Sequence, residues 1–193
     1  MWKYLVILGA IVSFTGVLLY IREVFRWKAK PNKVSWLLWS VAPMIATVAA
    51  LSQWVRRSVL PVFMSGFAPF LVFLVSLFVK QSYRKLSYFD YICWALSLLA
   101  LLLWGITKNP NIAIIFAILS DFAAATPTLK KSWQHPDSES PIGFIGGLFN
   151  ATTAFFVLQS FSFAELAFPI YLVVIDITLI SFIILGRKSK KQK

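Results

Sequence analysis

Asp121 and Asp176 each stand inside a run of apolar residues. A carboxylate at the centre of a lipid-embedded helix costs about 2.5–3.5 kcal/mol, so acids in such places normally face a water-filled cavity. Two roles suit them: proton carrier, or acceptor for a hydroxyl, ammonium or guanidinium group. The competing reading is a packed polar contact, with Ser120, Thr178 or Ser181 as partner. Asn150 adds an amide that both donates and accepts. It suits a sugar or an amino-acid carboxylate, or else a hydrogen bond between helices. Trp39 is a candidate stacking wall, whereas Trp36 better suits an aromatic belt at the membrane interface. Asp176, Asp121, Asn150 and Trp39 are therefore the expected substrate- or proton-binding residues.

Enzyme chemistry finds no such set. The single histidine, His135, sits beside Pro136 in a polar break, which leaves no histidine metal site and no membrane-embedded Ser-His pair. Cys93 is the lone cysteine, so neither a disulfide within the chain nor a cysteine metal cluster is expected. An aspartyl pair of Asp121 and Asp176 lacks the Gly-x-Gly-Asp pattern, because Ile118-Leu119-Ser120 precedes Asp121. No catalytic residue, metal or cofactor is expected.

The elements that carry these residues follow from composition. Of 193 residues, 59% are hydrophobic and only 13% charged, with a mean hydropathy of +0.77. Such a chain is a membrane protein, with no length left for a soluble domain. Apolar blocks predict seven spans, at 4–22, 34–54, 60–79, 88–106, 111–129, 142–162 and 167–185. Lys30-Pro31-Asn32, Asn109-Pro110-Asn111 and His135-Pro136-Asp137 mark three of the breaks. The first block is read as a retained helix rather than a cleaved signal. The net charge of +12 is assigned to the loops, with 15 basic residues on one side against 4 on the other. That asymmetry puts the N-terminus outside and the basic C-terminal tail in the cytoplasm, against anionic lipids rather than nucleic acid. Short loops and small size suit the cell inner (plasma) membrane, crossed several times.

An internal repeat organises the spans. Residues 1–85 laid over 109–193 at a constant offset of 108 put the first three spans on the last three, with 86–108 as a linker helix. Two three-helix units of one orientation follow, a 3+1+3 parallel-repeat arrangement. Pro43 and Pro127 are expected hinge elements, and Pro69 interrupts a third helix. Gly143, Gly146 and Gly147 make one face of the sixth span small, for close packing. The fourth span, with its leucine run 98–103, reads as a lipid-facing connector.

Two segments carry a resemblance. Tyr20-Ile21-Arg22-Glu23-Val24-Phe25-Arg26 to Val34-Ser35-Trp36, and Thr126-Pro127-Thr128-Leu129-Lys130-Lys131-Ser132-Trp133 to Ser138-Glu139-Ser140-Pro141-Ile142-Gly143, resemble the two signatures of the PQ-loop and SWEET transporter superfamily. Pro127 occupies the proline position of the second signature, with Thr128 in place of glutamine; Leu19 and Tyr20 replace both in the first. Of the four prolines such proteins place in the first two helices of each repeat, Pro43 and Pro127 match, while Leu19 and Ala151 fill the other positions. The resemblance implies a divergent bacterial-type member with seven helices, an outside N-terminus and transport of a small solute by rocking of two bundles.

The expected function is transport of a small polar solute, a sugar, amino acid or amine, by alternating access, with proton coupling open. The alternative is a non-transporting receptor or scaffold on the same fold. Expected partners are the solute and the anionic cytoplasmic lipid face, with a homo-oligomer left open.

Overall fold

A computed structural model describes residues 2–52, 59–79, 110–158 and 163–191, residue 161, and scattered positions between 88 and 106. Its described residues form six α-helices and no strand: α1 (Trp2–Phe25), α2 (Lys33–Ser52), α3 (Val59–Phe78), α4 (Pro110–Gln134), α5 (Ile142–Ala154) and α6 (Phe163–Lys191). The predicted span at 88–106 lies for the most part outside the described residues; the positions that are described are helical and exposed.

Local signals explain the helix ends. Asn32 caps α2, its Oδ1 accepting from the Val34 N–H at 3.1 Å while its carbonyl accepts from the Trp36 N–H. At the end of α1, Trp27 takes the left-handed conformation (φ 63°), and the N–H groups of Trp27 and Lys28 bond back to Val24 and Glu23. This Schellman closure satisfies the last carbonyls and turns the chain toward the break at 135–141. Lys30 N–H there donates to Ser138 carbonyl at 2.9 Å.

The ends of three helices differ most from expectation. The helix predicted over 142–162 stops at Ala154, where Phe155, Phe156 and Val157 bond three residues back in a tightening turn. At 13 residues α5 is about 20 Å long, short of a bilayer's hydrocarbon thickness of about 30 Å. Conversely α4 runs on through Lys130 and Lys131, and α6 through Arg187, Lys188, Lys190 and Lys191. These cations, assigned to loops from sequence, are helical, because basic residues are good helix formers and suit the negative end of the helix dipole.

Tyr4–Phe25, Leu60–Phe78 and Leu166–Ser189 are each long and apolar enough to cross a membrane. Their outer faces expose Leu18, Phe78, Val174 and Leu185, as suits a membrane protein and not a water-facing surface.

Packing repeats between the halves. Helix α3 packs against both α1 and α2, and α6 against both α4 and α5; among the described residues the α1 and α2 backbones stay apart, with the Tyr20 and Trp36 rings meeting between them, and the α4 and α5 backbones likewise stay apart. Across the halves α1 lies on α5 and α2 on α4. The α1/α5 crossing is antiparallel and close. A Cβ built on Gly16 would meet Gly146 Cα and the Ile142 carbonyl at 3.1 Å, while one on Gly143 would touch the Tyr20 ring. Of the three small positions on this helix, Gly146 lets the backbones meet and Gly143 seats the Tyr20 ring, the close packing expected of them.

A candidate solute cavity between the two halves

The side chains where the halves meet enclose a cavity of about 100 Å³, room for several waters. Asp121, Asp176, Asn150, Trp39 and Pro43 all line it. The fold therefore brings four expected binding residues and one expected hinge residue to one space. Pro127 is fully buried in α4 and is not among the lining residues.

Asp121, 7% exposed, accepts from the Tyr171 hydroxyl at 2.7 Å. The partner is thus a tyrosine of α6. Thr178, weighed from sequence as a partner for one of the acids, instead donates to the Val174 carbonyl at 2.8 Å. Asp176 lies midway along α6 and makes no hydrogen bond or ion pair with another described residue. A Cβ on Gly147 would sit 3.0 Å from Asp176 Oδ2, so the third glycine of α5 makes room for a carboxylate.

Asn150 divides its two functions. Its Nδ2 donates to the Pro61 carbonyl of α3 at 3.1 Å, while its buried Oδ1 has no partner. The donor half ties α5 to α3, and the acceptor half is left for the cavity. Pro43 and Pro69 also line the space, and each lacks the N–H that would bond the carbonyl four residues before it. Those carbonyls belong to Trp39 and Ser65, themselves lining residues.

Trp36 departs from expectation. Rather than standing in an interfacial belt it is 3% exposed and packs on Trp39, edge to face, with centroids 5.2 Å apart. It also stacks on Phe144 and touches Tyr20. One turn after the Asn32 cap, Trp36 lies on the α2 face that meets Tyr20 of α1 and Phe144 of α5.

The lining follows the offset of 108. Ser13 and Asp121, Trp36 and Phe144, Trp39 and Gly147, Pro43 and Ala151, Met64 and Leu172, and Ala68 and Asp176 are all lining residues, and each pair is 108 apart. Positions that the offset of 108 pairs thus line one space. Their chemistry is unequal: both carboxylates and the free amide oxygen come from the second half, whereas the first supplies tryptophans, serines, Met64 and prolines.

Comparison with protein-family models, with curated proteins and with solved structures gives no match for this chain. The geometry alone bears on function.

A second polar cluster closes the basic end of the bundle. Glu139 and Lys131, both fully buried, pair at 3.0 Å, and Glu139 Oε2 also accepts from the Tyr20 hydroxyl at 2.9 Å. Lys131 Nζ donates to the Lys30 carbonyl, and Arg187 donates to the carbonyls of Pro136 and Glu139. Burial pushes the Glu139 carboxyl above the ordinary carboxylate range, and the Lys131 ammonium beside it pulls it back. Four separate chain segments meet on these groups.

Tyr171, Ser13 and the Glu139 cluster escape a reading of sequence alone. One signal was available for Tyr171: a phenol inside an apolar span needs a hydrogen-bond partner, and few polar groups are in reach. For Lys131 the signal misled, since a lysine beside a polar break reads as solvated.

Proposed function

We propose that this protein is a seven-span membrane transporter in the 3+1+3 arrangement, moving a small polar solute by alternating access around the cavity between its halves. The observation that carries this reading is the convergence of Asp121, Asp176 and Asn150 on a space lined by equivalent positions of both segments. Related halves around a central site are the plan of transporters that rock one bundle against another. The mirrored packing of α3 between α1 and α2, and of α6 between α4 and α5, supports it. So does the Glu139 cluster, which joins both halves at the end where the basic residues gather and so serves as the closed cytoplasmic gate. The N-terminus is then outside and the C-terminus cytoplasmic. Asp121 and Asp176 serve as solute acceptors, and either one as a proton carrier.

The test is solute and proton uptake into liposomes holding the purified protein, with sugars, amino acids and amines offered in turn. Wild type should move at least one solute, and Asp176→Asn or Asp121→Asn should abolish that flux in a folded protein. A monodisperse, thermally stable wild type that moves none of them would overturn transport in favour of a receptor or scaffold.

A further inference from the structure

We propose that the cavity takes a small organic cation without a carboxylate, a primary alkylammonium or a guanidinium. This deepens, and rests on, the reading of the cavity as the solute site. Asn150 Oδ1 is the first observation: it is buried, lines the space, and has no donor. Because Nδ2 is held by Pro61, the free atom is fixed as an acceptor, and the ligand must bring an N–H or O–H. Asp176, a carboxyl with no partner among the described residues, makes the same demand and can serve as the counter-ion of a bound cation.

The remaining lining selects among donors. Trp36, Trp39 and Phe144 all line the space, and an aromatic wall favours a cation over a neutral donor. A bare metal cation would need oxygens on most sides, whereas rings and Met64 take up much of this wall. No Lys, Arg or His is among the described lining residues, so this wall offers a solute's carboxylate no cationic partner. A cavity of about 100 Å³ favours a solute smaller than a hexose. An engineered cavity of about 150 Å³ takes up benzene, and this one, at about 100 Å³, holds a solute of no more than that size. Butylammonium and methylguanidinium fit.

Isothermal titration of the full-length protein in detergent, at constant ionic strength, tests this with butylammonium, methylguanidinium, lysine, glucose and sodium chloride. The two cations should bind saturably and compete with each other, while lysine, glucose and sodium should not bind. Asp176→Asn should weaken butylammonium about tenfold or more. Trp39→Leu, which leaves the carboxylates in place, should weaken it about threefold to thirtyfold and carries the test if the first variant does not fold. Glucose or lysine binding as tightly as butylammonium would overturn the cation assignment while leaving transport intact. Displacement of butylammonium by sodium would overturn its organic character. No binding by either cation would sink the proposal, whereas binding without liposome flux would keep the site and remove transport.

Discussion

Trp36 and Phe144 stack with ring centroids 5.9 Å apart and planes inclined by 27°, and they occupy positions separated by 108 residues. Two residues that the offset of 108 pairs thus meet in an offset stack between α2 and α5. A double-mutant cycle of Trp36→Leu and Phe144→Leu, read by thermal unfolding in detergent, should show a coupling of about 0.5–1.5 kcal/mol. Simple additivity would mean that the stack does not hold the halves together.

The α1/α5 crossing depends on missing side chains. A methyl on Gly16 would meet backbone atoms of α5 at 3.1 Å, and one on Gly146 would meet the Val12 carbonyl at 3.2 Å. Backbone cannot swing aside as a side chain can, so Gly16→Ala and Gly146→Ala should each cost about 1–3 kcal/mol. Gly105→Ala, with no described atom within 4 Å of its added methyl, is the control and should unfold no lower than the wild type. Equal behaviour of all three would contradict the close crossing.

At the basic end, Glu139→Gln leaves the Lys131 ammonium buried without its counter-ion. Removing one partner of a buried pair costs about 3–5 kcal/mol, whereas replacing both by apolar or neutral groups is often close to neutral. Adding Lys131→Met to Glu139→Gln should therefore recover much of the lost stability. The same single variant should open the gate, so that a cysteine at Ser65, in a Cys93→Ser background, reacts faster with a membrane-impermeant reagent applied from the basic side. Unchanged labelling would show that the cluster is structural and seals nothing.

Tyr171 holds Asp121 through one short hydrogen bond. A cycle of Tyr171→Phe with Asp121→Asn measures that bond in isolation. A hydrogen bond to an ionised group is worth about 1.5–3 kcal/mol and a neutral one about 0.5–1.5 kcal/mol, so the coupling also reports the charge that Asp121 carries. A coupling near zero would show that the phenol does not position the acid.

Much of this was legible in the chain. The apolar blocks locate α1, α2 and α3 within three residues at both ends and α4 at its start, because hydrophobic runs punctuated by Pro and Asn are a local signal. Asp121, Asp176 and Asn150 stood out since charge and amide are costly in lipid wherever the fold places them. The end of α5 at Ala154 was not legible: Phe155 and Phe156 continue the apolar run, and only the geometry of the turn distinguishes them from more helix.

What the sequence by itself determined is the class of structure and the short roster of residues that do not belong in lipid, since both rest on transfer energies that depend on residue type. Only the tertiary structure decided which neighbours they meet. Tyr171 lies 50 residues from Asp121, and Tyr20 lies 119 from Glu139, yet each pair shares a hydrogen bond. Packing of α6 against α4, and of α1 against α5, creates those meetings, and no local pattern along the chain records which helix faces will touch.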